Sequence, residues 1–331
     1  MKSKTQSSPD NFTDHHRLLL IDGHALIYRA FHAFPELTDS QGRLVNAVYG
    51  FSRILLTSIR DFHPEYLAVC FDHKEKTHRA EEFDGYKANR APMPDALQPQ
   101  IEIIKSVVEA LNIPQFSLAG YEADDLIGTI AGIIDDKPGM PQVLIVTGDR
   151  DLLQLVTANV HVFIPGRSRT QPEREYDREL VKQIMGVYPE QIPDLKGLMG
   201  DASDNIPGVP GIGPKGAQGL MDVFGGIDNL LQAVDLLTTK SLEAKVKPEY
   251  KQILTDKILA KLVQGRESAI MSRDLATIKT DVPLQFVLED CRVRKYDKEK
   301  AIQILDTLDF RSLIGLLPQD EFESSVQQAL F

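Results

Sequence analysis

Four carboxylates in this sequence stand where short apolar runs stop. Residues 18–21 (LLLI) pass into Asp22, residues 66–71 (YLAVCF) into Asp72, and residues 143–146 (VLIV) through Thr147-Gly148 into Asp149 and Asp151. If the three runs are parallel strands of one sheet, their carboxyl ends share an edge, the side on which open parallel sheets bind ligands. Two more acidic groups follow. Glu122-Ala-Asp124-Asp125 comes directly before Leu126-Ile127, and reads either as a helix first turn, where the macrodipole favours negative charge, or as a ligand set. Asp201 and Asp204 are spaced i, i+3 on one helical face, or serve only to cap or end a helix before a Pro/Gly run.

Brought together, these nine acids would repel by roughly 3 kcal/mol per neighbouring pair at about 6 Å and an effective dielectric of about 20. They need cations to stay ionised together. Hard oxygen donors, with no His or Cys at ligand spacing, favour Mg²⁺, or Mn²⁺ in its place, over zinc. Two such ions about 4 Å apart form the clamp used to hydrolyse phosphate esters. The basic residues Lys74, Lys76, Arg79, Lys87 and Arg90 are interleaved with Glu75, Glu81, Glu82 and Asp84, so a solvated mixed-charge face and a phosphate clamp both remain open. Tyr86 stands beside Lys87, with Arg90 three residues on; a base-stacking ring next to two phosphate-binding cations suits a bent nucleic-acid strand.

The elements that must position these groups alternate. Short apolar runs are separated by segments of helical period, at 46–59, 101–111 and 123–134, which indicates an α/β fold with a parallel sheet. Residues 72–99 break the rhythm, being polar and ending in a Pro cluster; a long stretch of this kind inside a compact domain is usually functional or mobile. After about residue 180 the strand pattern stops and the chain reads as helical around a Pro/Gly hairpin, residues 206–213 (IPGVPGIG). The expected division is a disordered tail over 1–16, an α/β core over 17–180 interrupted by the irregular segment at about 73–100, a smaller all-α part over 181–290, and a C-terminal helical segment and tail over 291–331.

Gly211-Ile-Gly213-Pro-Lys215-Gly216 matches G-x-G-x-x-G, but no strand precedes it, and Pro214 stands where a P-loop needs Lys. A tight turn between two helices fits better, with amide groups at a helix start free to hold a phosphate without reading sequence. A plain structural turn is the alternative.

Composition sets the outer limits. The 331 residues, 42% hydrophobic and 26% charged, are a globular mix that excludes disorder throughout. No apolar run approaches the 20 or so residues of a membrane span, and the start (MKSKTQSSPDNFTDHH) lacks a secretory h-region. Cys70 and Cys291 match no metal or redox spacing and read as buried thiols of a reducing, cytoplasmic protein. A net charge of −11 argues at first against a nucleic-acid partner. Setting the nine clustered acids aside leaves the remainder near neutral, and Lys+Arg outnumber Asp+Glu seven to three over 240–266 and five to two over 291–300. The acidic total is better read as the mark of a metal site.

Taken together, residues 18–33 (LLLIDGHALIYRAFHA), 70–79 (CFDHKEKTHR), 85–94 (GYKANRAPMP), 120–129 (GYEADDLIGT), 146–155 (VTGDRDLLQL) and 200–217 (GDASDNIPGVPGIGPKGA) resemble the 5′→3′ exonuclease domain of bacterial DNA polymerase I, within the flap endonuclease family. The resemblance runs from about residue 18 to 316. It implies a PIN-like parallel-sheet nuclease core with a helical arch, and a helix–hairpin–helix subdomain that grips duplex DNA. It further implies that Asp22, Asp72, Glu122, Asp124, Asp125, Asp149, Asp151, Asp201 and Asp204 hold two Mg²⁺ ions. Arg79, Lys87 and Arg90 would hold and polarise the scissile phosphate, with Tyr86 as the neighbouring aromatic. Gly211, Gly213 and Lys215 would contact the DNA backbone, where a potassium ion can bind main-chain oxygens.

The expected function is divalent-metal-dependent 5′→3′ exonuclease and 5′-flap endonuclease action on DNA, and on RNA primers annealed to DNA, in primer removal and repair. The expected partners are flapped, nicked or primed DNA and a DNA polymerase, with no membrane and a monomeric chain. The residues leave open whether this is a stand-alone nuclease or the N-terminal piece of a polymerase. A catalytically silent DNA-structure-binding module is the alternative from another class, and an intact nine-acid set argues against it. A nicotinamide-dependent enzyme is a distant third.

Overall fold

The computed structural model describes residues 16–166, 171–239, 248–293 and 296–318. Six strands form one sheet: β1 (Arg17–Asp22), β2 (Tyr66–Cys70), β3 (Gln115–Phe116), β4 (Gln142–Val146), β5 (Val160–Ile164) and β6 (Arg174–Tyr176), in the order β3-β2-β1-β4-β5-β6. All neighbours run parallel except β5 and β6. From β1 the chain winds outward to β2 and β3, then returns to build β4 and β5 on the other side. The reversal lies between β1 and β4, and the crevice at such a switch point is where a parallel sheet presents ligands.

Both faces of the sheet are covered. Leu18 and Leu20 face one apolar cluster, Leu19 and Ile21 the other, and all four are fully buried. This explains why the central strands read as continuous hydrophobic runs rather than alternating ones. Helices α1 (Gly23–Ala33), α2 (Asn46–Phe62) and α4 (Gln98–Ala110) follow β1 and β2, with the five-residue α3 (His78–Glu82) between them in sequence; α5 (Ala123–Asp135) covers the opposite face. Of the segment expected to form a helical arch, only α3 and the start of α4 are helical, and the rest is turns and irregular chain.

Beyond β6 the chain is helical among the described residues: α6 (Arg178–Met185), α7 (Ile192–Met199), α8 (Pro214–Phe224), α9 (Ile227–Thr238), α10 (Pro248–Ile253), α11 (Asp256–Gln264) and α12 (Arg266–Ala276). Their apolar faces continue the α5 side of the core without a break, through Leu198, Leu220, Leu230 and Ala269. The Pro/Gly hairpin joins α7 to α8. At its base Gly208 lies in the left-handed region against Gly200, where a Cβ would come within 2.2 Å of the Gly200 amide nitrogen, so only glycine fits. Ser272 Oγ accepts from Gly208 N–H at 3.0 Å and Ser268 Oγ donates to its carbonyl at 2.6 Å, tying the hairpin to α12.

Of the expected C-terminal segment and tail, residues 294–295 and 319–331 lie outside the described residues. Val293 N–H donates to the Glu65 carbonyl beside β2, and α13 (Lys298–Thr307) and α14 (Arg311–Ile314) return to the six-stranded sheet, burying Leu305, Phe310 and Leu313 with α2 and α4. Of the expected tail, residues 1–15 lie outside the described residues, while His16 is held by Glu65 at 2.7 Å. Cys70 and Cys291 are buried free thiols, and burial pushes Cys291 up to about 12. Among the described residues no helix is long and apolar enough to cross a membrane.

Candidate functional site

The strand ends deliver their acids to the switch point. A cavity of about 570 Å³ opens there, and Asp22, Asp72, Glu122, Asp124 and Asp149 line it together with Lys87 and Arg90. Asp22 is the last residue of β1 and caps α1: one carboxylate oxygen accepts from Ala25 N–H at 3.1 Å, the other from Thr147 Oγ at 2.6 Å. Asp72 accepts from Ala123 N–H at 2.8 Å, while its own N–H donates to His24 Nδ1 at 2.9 Å, so strand β2 and helix α5 fix each other's acids. Asp149 N–H donates to Thr147 Oγ at 2.9 Å, which places its carboxylate on the same side as Asp22.

Crowding shows in the proton affinities. Burial pushes Asp22 up to about 7, against its two hydrogen bonds and with help from the charges of Asp72 and Asp149. Asp124 is raised well above the carboxylate range, first by burial and then by Asp22 and Asp149. Among the described residues no three of these side chains close into a finished coordination shell. What they gather is uncompensated negative charge on hard oxygen donors, the donor chemistry that Mg²⁺ or Mn²⁺ would neutralise.

The remaining acids already have cations. Lys196 on α7 is buried and its ammonium bridges Asp151 and Asp201, the latter at 2.6 Å. Burial pushes Asp151 up to about 6, with Asp149 adding and Lys196 opposing. Asp201, where burial also raises, is nonetheless drawn down to about 2 by Lys196 and Ser203. Glu122 and Asp204 are held from the 73–100 segment, Glu122 by Lys87 at 2.9 Å and Asp204 by Arg90 at 2.5 Å. That segment is strapped to the loop before the hairpin. Lys87 N–H donates to the Asp204 carbonyl, Asn89 Nδ2 to the Ala202 carbonyl at 2.7 Å, and Asn205 Nδ2 to the Gly85 carbonyl at 2.7 Å.

Asp125, Arg79 and Tyr86 are buried and do not line the cavity. Asp125 is fully buried and faces away from the cavity: it takes a bidentate pair from Arg79 at 2.6 and 2.9 Å, the Glu122 N–H and the Lys279 N–H, which uses its oxygens completely. It closes the first turn of α5 as a capping box. Arg79 is 2% exposed, with its other donors on the Leu275 and Thr277 carbonyls at the end of α12, so it cannot reach a phosphate in this structure. Tyr86 is buried against Ile206, Leu275 and Ala276, and its hydroxyl donates to Glu122 at 3.1 Å, so its ring is not a stacking surface. Lys87 and Arg90 do reach the cavity.

The hairpin residues are where the sequence puts them. Gly211, Gly213 and Lys215 are exposed, and Gly213 begins α8 without a side-chain cap, which leaves the Lys215 and Gly216 amides with no intrahelical partner. The Gly211 carbonyl is not open, because Lys261 Nζ donates to it at 2.6 Å. Lys196, Thr147 and His24 are the residues sequence reasoning missed. Of these only Thr147 carried a signal, as the hydroxyl between the strand end and Asp149.

A family profile described as 5'-3' exonuclease, N-terminal resolvase-like domain, matches residues 17–186, and one described as 5'-3' exonuclease, C-terminal SAM fold, matches residues 187–299. The DNA polymerase I of Caldicellulosiruptor bescii is 40% identical over 306 residues, covering 92% of this chain and 34% of its own length. That of Bacillus subtilis is 38% identical over 318 residues, with coverages of 96% and 34%. The chain spans about a third of the length of these curated relatives. Among solved structures, the T5 D15 protein co-crystallised with metal ions aligns with a TM-score of 0.60 at 22% identity, covering 91% of this chain and 99% of that one. The catalytic core of Rad2 in complex with DNA substrate aligns at 0.57 and 16% identity, covering 92% and 93%. At these identities the likeness is one of fold.

Proposed function

The chain belongs to the 5′-3′ exonuclease family, and from that premise we propose that it is a divalent-metal-dependent 5′→3′ exonuclease and 5′-flap endonuclease acting on DNA and on RNA primers annealed to DNA. The observation that carries the proposal is the meeting of Asp22, Asp72, Asp124 and Asp149 at the switch point, with Lys87 and Arg90 facing the same cavity. Two Mg²⁺ ions, or Mn²⁺, held there and by Glu122, Asp151, Asp201 and Asp204 would supply Lewis acidity toward water and toward charge on the leaving oxygen. Water adds to phosphorus as the bond to the 3′ oxygen breaks; one proton of the water ends on that oxygen, leaving a 5′-phosphate and a 3′-hydroxyl.

The chain's own residues do the rest. Thr147 and the Ala25 amide hold Asp22 in one orientation, His24 and the Ala123 amide hold Asp72, and a site fixed in advance needs no rearrangement during reaction. Lys87 and Arg90 can exchange Glu122 and Asp204 for the non-bridging oxygens of a bound phosphodiester, as negative charge develops on them. The hairpin amides at Lys215 and Gly216 are assigned to the phosphate backbone of the duplex, and a potassium ion there would compete with Lys261 for the Gly211 carbonyl. The division into nuclease core and duplex-holding helical part, action as a monomer in the cytoplasm and cooperation with a DNA polymerase belong to the same proposal.

The test is cleavage of a labelled 5′-flap duplex with Mg²⁺ and with EDTA, for the wild type, Asp149→Ala and Asp151→Ala. Metal-dependent cutting by the wild type and its loss in both variants are expected; equal activity in all three would sink the assignment. Lys87→Ala should lower turnover by about a hundredfold while duplex binding changes little, because its charge acts where transition-state charge develops.

A further inference from the structure

A second cavity, of about 350 Å³, adjoins the acidic one and has the opposite sign. Arg29, Arg150 and Arg174 line it, with Gln171 and Tyr176, and it shares Arg29 and Gly148 with the acidic cavity. The shared wall is thin. Gly148 packs against the Ala25 carbonyl and the Arg29 stem, which a Cβ there would meet at 3.4 Å and 3.6 Å, so the arginine lies across the junction. The Arg29 guanidinium is fixed by donation to the Pro165 carbonyl and, at 2.7 Å, to that of Gly166, at the end of β5.

The other two arginines have acidic neighbours and do not use them. Arg150 stands between Asp149, which faces the acidic cavity, and Asp151, which is taken by Lys196; Arg174 precedes Glu175, which is held by His161 at 2.7 Å. Both arginines are exposed, and among the described residues neither forms an ion pair. In a chain with 48 acids, two unpaired guanidinium groups facing one concavity beside a third, anchored one make a site complementary to an anion. The volume admits a phosphate with its sugar, and the continuity with the acidic cavity gives its path.

We propose that the Arg29–Arg150–Arg174 cavity is a phosphodiester subsite, which holds the strand being cut at a linkage next to the scissile one. The inference rests on the nuclease reading above. The strand would lie with its scissile phosphate among the carboxylates and a neighbouring phosphate among the arginines, so that attraction at the second point offsets the approach of a polyanion to an acidic centre. Arg150 and Arg174 are positioning residues: they touch substrate at a linkage that does not react.

The experiment uses the full chain and the double variant Arg150→Gln/Arg174→Gln, whose exposed positions leave the fold intact. Binding of a labelled flap duplex is followed by anisotropy against salt in Ca²⁺, and cleavage kinetics are measured in Mg²⁺. The expected results are a salt slope shallower by about one, a KM raised about tenfold or more, and kcat within about threefold of wild type. Arg150→Lys/Arg174→Lys should keep the slope. A neutral methylphosphonate, moved one linkage at a time along the cut strand, should weaken the wild type at one position near the scissile bond and leave the glutamine variant indifferent there. A wild-type salt slope and KM in the glutamine variant overturn the subsite. If no linkage shows the effect but inorganic phosphate competes only with the wild type, the cavity holds free phosphate and the strand assignment is overturned. A wild type that binds without cutting overturns the nuclease reading instead, and the salt slope still judges the subsite.

Discussion

Lys196→Met removes one ammonium and leaves two carboxylates facing each other. Asp151 and Asp201 each hold the same nitrogen within hydrogen-bond distance, so their oxygens lie within about 5 Å of each other. At an effective dielectric of about 20, two unit charges at about 5 Å repel by roughly 3 kcal/mol, and removing one partner of a buried ion pair costs roughly 3–5 kcal/mol. We expect Lys196→Met to lose about 3–5 kcal/mol of unfolding free energy in EDTA near neutral pH. The loss has a sign in pH. In the wild type Asp201, held down to about 2, contributes stability that is present above its unfolded value near 4 and lost as pH falls toward 2. In the variant the two acids take up a proton as pH falls, so the gap between the proteins narrows on acidification. Ca²⁺, which binds oxygen donors, should return more stability to the variant than to the wild type. Urea unfolding followed by circular dichroism, with EDTA and with Ca²⁺, measures both effects. A variant as stable as wild type in EDTA, or one that Ca²⁺ restores no better, would refute the view that Lys196 separates two like charges at a metal site.

The other predictions concern the acidic crevice and its scaffold. In EDTA the wild type should lose stability as pH rises from about 4 to about 7, because folded Asp22 keeps a proton in that window that the unfolded chain has released; the span is of order 4 kcal/mol at most. Asp22→Asn keeps an acceptor for the Ala25 amide, with its own amide donating to Thr147 Oγ in place of the accepted bond, so it should flatten that slope while abolishing cleavage; an unchanged slope on titration would contradict the assignment. Arg79→Met should behave as a structural lesion, destabilising by about 3–5 kcal/mol by leaving Asp125 buried and unpaired, with lost activity tracking lost fold. Phosphate contact would instead show as a raised KM at full stability.

The parts of this site that could be read from sequence are those set by the chain's own periodicity. Apolar runs ending in Asp22, Asp72 and Asp149, placed in a parallel sheet, locate the cavity, because a sheet buried on both faces leaves only its strand ends for polar groups. Weaker strands escaped the same reading: β5 carries His161 within a half-buried pattern, and β3 and β6 are two and three residues long. Asp124 and Asp125 look equivalent in sequence, yet neighbours on a helix point about 100° apart, so one lines the cavity and the other caps the turn. Arg79 could not be assigned without knowing that the end of α12, nearly two hundred residues on, lies against α3. Lys196 carries no signal at all in sequence, since its role depends on α7 packing beside the turn that holds Asp151.

The central claim is that the carboxylates at the β1–β4 switch point hold the divalent ions of a 5′ nuclease. Anomalous diffraction from crystals of the chain grown with Mn²⁺ tests it directly. The expected result is density within about 2.2 Å of oxygens of Asp22, Asp124 or Asp149, absent in crystals of Asp22→Asn. Mn²⁺ bound elsewhere, with none in that cavity, would contradict it.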